Sequence, residues 1–78
     1  MEFRSKLPTI IGKIAVEQNR LIGEKEIEEQ TGMERRTIKG WLSEKKRFSQ
    51  LDPDSVHSLQ TMFNVSIDDL VEIVERAS

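Results

Sequence analysis

Gly32 is the residue around which the middle of the chain must be organised. Glycine accepts the left-handed backbone conformation that other residues resist, so it commonly ends a helix and turns the chain. Two short helices that meet at a steep angle also need one buried position per turn on each helix and an apolar plug beneath the turn. The sequence supplies these positions around Gly32, five residues before it and one, six and nine residues after it: Ile27, Met33, Ile38 and Trp41. The spacing therefore predicts a helix-turn-helix.

The remaining segments are predicted to be helical as well. Apolar residues recur at intervals of three and four, proline at positions 8 and 53 suits the first turn of a helix, and Asn64 suits a helix end. We expect five helices, at about 6–18, 24–31, 35–43, 53–63 and 67–76. The polar segment 44–51 has no periodicity and is predicted to be a loop. The expected fold class is all-α: one compact five-helix bundle over residues 1–78, in which helices two and three form the helix-turn-helix.

Length and composition limit the classes of function. A chain of 78 residues suits one domain and leaves little room for an enzyme with both a core and a shaped cleft. The absence of cysteine excludes disulfides and zinc sites built from thiolates, and His57 is the only histidine, so neither a metal site nor a cofactor is expected. No catalytic pair and no small-molecule site is evident. The apolar runs are too short to span a membrane, and the first residues lack the apolar stretch of a secretory signal, so a cytoplasmic protein is expected.

Positive charge is concentrated in one short part of the chain. The net charge is -2, yet the stretch RRTIKGWLSEKKR, residues 35–47, carries six basic side chains and one acidic one. Such a run is either a solvated surface or a surface that neutralises phosphates. Because the run overlaps the second helix of the predicted helix-turn-helix, binding to nucleic acid is the preferred interpretation.

Two segments of the sequence resemble a known family. EKEIEEQTGMERRTIKGWL, followed by LDPDSVHSLQTMFNVSIDDLVEIV, is similar to the Xre family of Cro and phage-repressor type. The resemblance covers about residues 6–75, and its second part matches the fourth and fifth helices of that family, where an apolar helix leads through Asn-Val-Ser into Ile-Asp-Asp-Leu. It implies a phage-repressor-like fold, a third helix that lies in the major groove of double-stranded DNA, and a homodimer that reads a palindromic operator.

The resemblance also assigns roles to individual residues. The positions that would face base edges or nearby phosphates are Arg35, Arg36, Lys39, Gly40 and Ser43. The residue chemistry agrees, because arginine can donate two parallel hydrogen bonds to O6 and N7 of guanine. Thr37 could contact a phosphate or a thymine methyl group. The basic residues of the following loop are better placed for the DNA backbone: Lys45, Lys46 and Arg47.

Two residues of helix two depart from the family pattern. Glu28 lies four residues before Gly32, where the family prefers a small alanine, so its side chain needs an outward path or a partner. Glu24 lies where the family often has a glutamine that contacts a phosphate. A carboxylate would repel that phosphate unless it turns away, and Lys25 is the neighbouring cation that could replace it.

Other interpretations concern the partners and the core. Trp41 could stack on a base, but its register with Ile38 and Leu42 favours the core. The apolar excess at Val71, Ile73 and Val74 of helix five suggests a dimer contact.

The expected function is that of a transcriptional regulator, most simply a repressor, of bacterial or phage type and associated with the nucleoid. The alternative is a helix-turn-helix module that binds another transcription factor or a toxin, which the acidic second helix favours.

Overall fold

A computed structural model of the chain describes residues 2–74. The order of elements is β1 (Glu2–Ser5), α1 (Leu7–Gln18), α2 (Glu24–Thr31), α3 (Arg35–Leu42), α4 (Pro53–Phe63), α5 (Ile67–Leu70) and β2 (Val71–Val74). The first four helices begin and end within one residue of the positions expected from the sequence. None of the helices described has both the length and the apolar composition that crossing a membrane requires.

The expectation of an all-α fold is wrong. Five helices are present, but β1 and β2 form a two-stranded antiparallel sheet in which Phe3 lies opposite Ile73 and Ser5 lies opposite Val71. The expected fifth helix, 67–76, ends at Leu70, and the chain continues as a strand through Val74. Positions 75 and 76 of that expected helix lie outside the described residues. The fold is therefore a mostly helical domain with a small sheet.

The composition of β2 explains this change. Three of its four residues, Val71, Ile73 and Val74, are β-branched, and their side chains lose rotamer freedom in a helix but fit a pleated strand. At Val71 the backbone is already extended, with φ -135° and ψ 156°. A short apolar run satisfies helix and strand periodicity almost equally well, so the presence of a pairing strand decides the outcome. The strand that pairs with it is β1, at the other end of the described chain.

The sheet is tied to the segment that follows α3 through Phe48. The backbone N–H of Phe3 donates to the carbonyl oxygen of Phe48, and the N–H of Phe48 donates to the carbonyl oxygen of Phe3, both at 2.8 Å. β1 thus lies between β2 on one side and the residues that follow α3 on the other. Segment 44–51, predicted to be a plain loop, is therefore pinned at its centre.

One core lies between the helices and the sheet. Its buried apolar side chains come from α1 to α5, from the turn before α2 and from β2: Leu7, Ile11, Ile22, Ile27, Ile38, Trp41, Leu59, Leu70 and Val71. Phe3 and Phe48 are partly buried against this cluster. The core thus supports α3 from beneath and leaves its other face to solvent.

Side-chain caps begin two of the helices. At α4, Asp52 accepts hydrogen bonds from the N–H of Asp54 at 3.4 Å and from the hydroxyl of Ser55 at 2.8 Å. At α5, Ser66 accepts from the N–H of Asp69 at 3.3 Å and donates to its carboxylate at 3.1 Å. These bonds satisfy amide groups that a helix start leaves without a partner.

Candidate nucleic-acid interface

The turn between α2 and α3 is built from Gly32 and its neighbours. Gly32 has φ +72°, and its N–H donates to the carbonyl oxygen of Glu28 at 2.9 Å, which closes α2 with a left-handed cap. The hydroxyl of Thr31 donates to the carbonyl oxygen of Ile27 at 2.6 Å and accepts from the N–H of Met33 at 3.1 Å. With Met33 packed against the core, this network holds the two helices at a fixed turn.

The two faces of α3 differ in burial and in charge. Ile38 and Trp41 are 0% and 2% exposed, so they attach the helix to the core. The basic residues that the sequence analysis assigned to DNA, namely Arg35, Arg36 and Lys39, are exposed, and Thr37 and Ser43 are half-buried at the margin. The outward face of α3 is therefore cationic, with exposed charges at Arg35, Arg36 and Lys39.

Trp41 belongs to the core rather than to this outward face. Its ring lies 5.2 Å from the ring of Phe48, centroid to centroid, with the planes tilted by 31°. A tilted aromatic pair at this distance is favourable beyond the area that it buries. Because Trp41 is only 2% exposed, stacking on a base is incompatible with its position.

Glu28 finds a partner across the turn. Its carboxylate oxygen Oε2 accepts a hydrogen bond from Nε of Arg35 at 3.2 Å, and both side chains are partly exposed. Glu28 is thus an outward side chain that contacts the first residue of α3. The sequence predicts the need for such a partner but not the partner itself.

The side chain of Lys46 lies over α3. Gly40 is buried beneath the Lys46 side chain. A Cβ atom at position 40 would lie 2.9 Å from Nζ of Lys46 and 3.3 Å from its Cδ. The ammonium group is 5.2 Å from the centroid of the Phe48 ring, within the range of a cation–π contact. The absence of a side chain at Gly40 therefore lets Lys46 cross α3 and present its charge beside the outward face.

The other candidate cations are exposed. The guanidinium of Arg47 folds back onto the loop, where Nη1 donates to the carbonyl oxygens of Glu44 at 3.4 Å and Lys45 at 3.3 Å. Lys45 is exposed, and its N–H donates to the hydroxyl of Ser43 at 3.3 Å. Lys25 is exposed in the first turn of α2. The structure thus groups the cations of α3 with those of the segment that follows it, whereas Lys25 lies on the neighbouring helix.

Phe48 is the residue of this region that sequence reasoning missed. It pairs with β1, contacts Trp41 and lies under the ammonium group of Lys46. A signal was present, because Phe48 is the only aromatic residue in the polar segment 44–51, and an isolated aromatic residue in such a segment often anchors it.

The acidic side chains and the histidine of residues 2–74 are not arranged as metal ligands. Within that part of the chain, no group of three or more histidine, aspartate or glutamate side chains could hold a metal ion. His57 is exposed on α4.

Searches against protein-family models, curated proteins and solved structures found no match to this chain.

Proposed function

We propose that this protein is a transcriptional regulator that binds double-stranded DNA in a sequence-specific manner through α3. The observation that carries the proposal is the outward face of α3, where Arg35, Arg36 and Lys39 are exposed on a helix whose opposite face is anchored in the core. An α-helix fits the width of the major groove, and arginine side chains can read guanine there. In this proposal the protein acts in the cytoplasm, in association with a nucleoid.

Binding to duplex DNA at several salt concentrations tests the proposal. The logarithm of the association constant for a random duplex should fall linearly with the logarithm of salt concentration, because phosphate contacts release counterions. Selection from a randomised duplex library should then enrich one sequence. Binding without enrichment would contradict sequence specificity, and the absence of salt-sensitive binding would contradict DNA binding altogether.

A second candidate function has one observation in its favour. Val16 and Leu21, near the end of α1 and in the turn after it, are 86% and 80% exposed. Exposed apolar side chains of this size can serve contacts with another protein. A module that binds a transcription factor or a toxin through this region would show no salt-sensitive DNA binding, and substitutions on α3 would leave its partner affinity unchanged.

The segment after α3 leads to a prediction about salt. Lys45→Ala should weaken binding to every sequence by a similar factor and should reduce the slope of log association constant against log salt by about 1. The reason is that an exposed lysine outside the recognition helix positions the protein on phosphates and carries no base readout. Lys13→Ala on α1 is the control and should leave the slope unchanged. A loss of affinity confined to one base pair of the selected site would show that Lys45 reads bases.

The dimer contact has to be reassigned, because the expected helix face does not exist. Val71 is 8% exposed and belongs to the core, so it is not available to a partner, whereas Ile73 is 59% exposed. The backbone N–H and carbonyl of Phe3 point to Phe48, on the side of β1 away from β2. Successive residues of a strand direct these groups to opposite sides, so it is the neighbours Glu2 and Arg4 that form the hydrogen bonds to β2. The backbone groups of Ile73 then point away from β1, to the edge of β2 on which residues 2–74 place no further strand. We propose that two copies pair along this edge.

The chemistry of the β2 edge suits a second copy of the chain. Centring a two-fold axis on Ile73 would bring two exposed apolar side chains together and would let their backbone groups exchange hydrogen bonds. Glu72 forms an ion pair with Arg4 within each copy, so its charge is balanced. Two-fold pairing also supplies two recognition helices, and the selected sites should be inverted repeats with half-site centres about 34–36 Å apart.

Ile73→Glu should abolish the dimer without unfolding the protomer. The substitution places like charges beside the two-fold axis, while the exposed position of Ile73 spares the core. Sedimentation velocity measures the oligomeric state, and Val16→Glu is the matched control, since it introduces the same charge at another exposed apolar residue. A wild-type monomer bound to a site without a repeat would contradict the dimer.

A further inference from the structure

The contact between Glu28 and Arg35 joins the two helices of the helix-turn-helix on its exposed side. The side chains of Glu28 and Arg35 are 40% and 55% exposed, and Nε of Arg35 lies 3.2 Å from Oε2 of Glu28. Because the two lie seven positions apart, on either side of the turn at Gly32, they meet only when α2 and α3 are correctly assembled. The contact therefore fixes a side chain of α3 from a neighbouring helix.

The atom through which Arg35 is held determines what the rest of its side chain can do. A guanidinium carries five N–H donors in one plane, one on Nε and four on the two terminal nitrogens. With Nε directed to Glu28, the pair of terminal nitrogens is left to meet another partner. Guanine presents O6 and N7 as two neighbouring acceptors in the major groove, and a planar fork matches them with two parallel hydrogen bonds. The contact thus favours an end-on approach of Arg35 to guanine.

Arg36 provides a contrast within the same turn of α3. It is exposed, and in the part of the chain that the structure describes no ion pair involves it. An unrestrained arginine loses more side-chain freedom when it is fixed on one base edge than an arginine that is already held. Arg36 is accordingly suited to phosphates, where geometry is less demanding, and Arg35 to a base.

We propose that Glu28 is a positioning residue for sequence recognition. It holds Arg35 in the orientation that reads a guanine, whereas its negative charge beside α3 lowers affinity for every duplex by a similar factor. Only the first of these two effects raises specificity. The inference depends on the proposed DNA binding and adds to it the residue that sets the discrimination at one base pair.

The test compares dissociation constants for two duplexes at one salt concentration. One is the duplex that the wild-type protein enriches from a randomised library, and the other is a random-sequence duplex of equal length. The specificity is the dissociation constant for the random duplex divided by that for the selected duplex. Glu28→Ala should lower this ratio about threefold, the size expected for the loss of one exposed ion pair, and should tighten binding to the random duplex. Glu28→Gln keeps a hydrogen-bond acceptor and should lower the ratio less.

Two control variants separate positioning from general charge. Glu29→Ala removes the same charge from the neighbouring position of α2, where no ion pair is formed within residues 2–74, and should alter both affinities equally. In an Arg35→Ala background, Glu28→Ala should no longer change the ratio, because the side chain that it positions is absent. A panel of single base-pair changes should assign the lost discrimination to one guanine.

Three outcomes overturn the inference while leaving the proposed function intact. The first is a specificity ratio in Glu28→Ala equal to that in Glu29→Ala. The second is a fall in the ratio on Glu28→Ala that is equally large in the wild-type and Arg35→Ala backgrounds. The third is an equal loss for both duplexes together with a lower thermal unfolding midpoint, which would make Glu28 a purely structural residue. If the wild-type protein enriches no sequence, the proposed function falls and this inference falls with it.

Discussion

Replacing both Arg35 and Arg36 with glutamate should reduce affinity for the selected duplex by at least about 10³-fold, to the level of non-specific binding or below. Loss of the guanine contact of Arg35 removes about 1–3 kcal/mol of discrimination. Loss of the phosphate contact of Arg36 weakens binding further, and the two new carboxylates would repel phosphates. Both residues are exposed and lie outside the buried face of α3, so circular dichroism should show an intact fold. Titration of labelled duplex measures the loss.

A control variant measures how much a charge reversal outside α3 changes affinity. Lys13→Glu reverses one exposed charge on α1 and should reduce affinity only slightly, through the general field of the protein. If the double variant of Arg35 and Arg36 bound the selected duplex as the wild type does, α3 would not be the recognition helix.

Trp41→Ala should destabilise the protein by about 3–5 kcal/mol, which is a large part of the stability of a domain of this size. The substitution removes the ring that joins α3 to the core and to Phe48, and it leaves a cavity that neighbouring side chains cannot fill. Chemical denaturation followed by circular dichroism measures the free energy of unfolding. A fraction of the population should already be unfolded without denaturant.

Trp41→Phe separates volume from aromatic contact. It retains an apolar ring and should cost roughly 1–2 kcal/mol, a value between those of the wild type and the alanine variant. An alanine variant destabilised by less than about 1 kcal/mol would contradict the core position of Trp41.

Local chemistry in the sequence predicts four of the helices well. Asp52 and Pro53 mark the start of α4, Gly32 marks the end of α2 and Asn64 marks the end of α4, each through a cap that depends on one or two neighbouring residues. The outward position of the cations on α3 also follows from the periodic burial of Ile38 and Trp41. Signals of this kind act within one helical turn, so they can be read from a short window of sequence.

The errors arise where distant residues decide the local structure. Val71 to Val74 satisfy a helical pattern, and only the presence of Glu2–Ser5 as a pairing strand makes them extended. Phe48 looks like part of a polar loop until Phe3 supplies its hydrogen bonds. No window of sequence that stops short of both partners contains this information.

The details of the candidate site are hidden for a related reason. Glu28 and Arg35 are seven residues apart, which is not a spacing at which side chains meet along one helix. They meet because Gly32 turns the chain between them. Likewise, the position of Lys46 over Gly40 depends on the path that the chain takes after α3, and Phe48 fixes that path. The sequence predicts which cations belong to the candidate site but not how their side chains are held.

The pairing of β1 with β2 places a condition on the order in which the protein can assemble. During synthesis Glu2–Ser5 leaves the ribosome before its partner Val71–Val74, which is made only after every helix between them. Closing so long a loop has an entropic cost that must be offset by contacts already formed, so the strands join after the helices have packed. Until then Phe3 and Phe48 have apolar rings exposed to the cell. We therefore expect the basic segment after α3 to gain its anchor at Phe48, and Lys46 its place over Gly40, in the last step of folding.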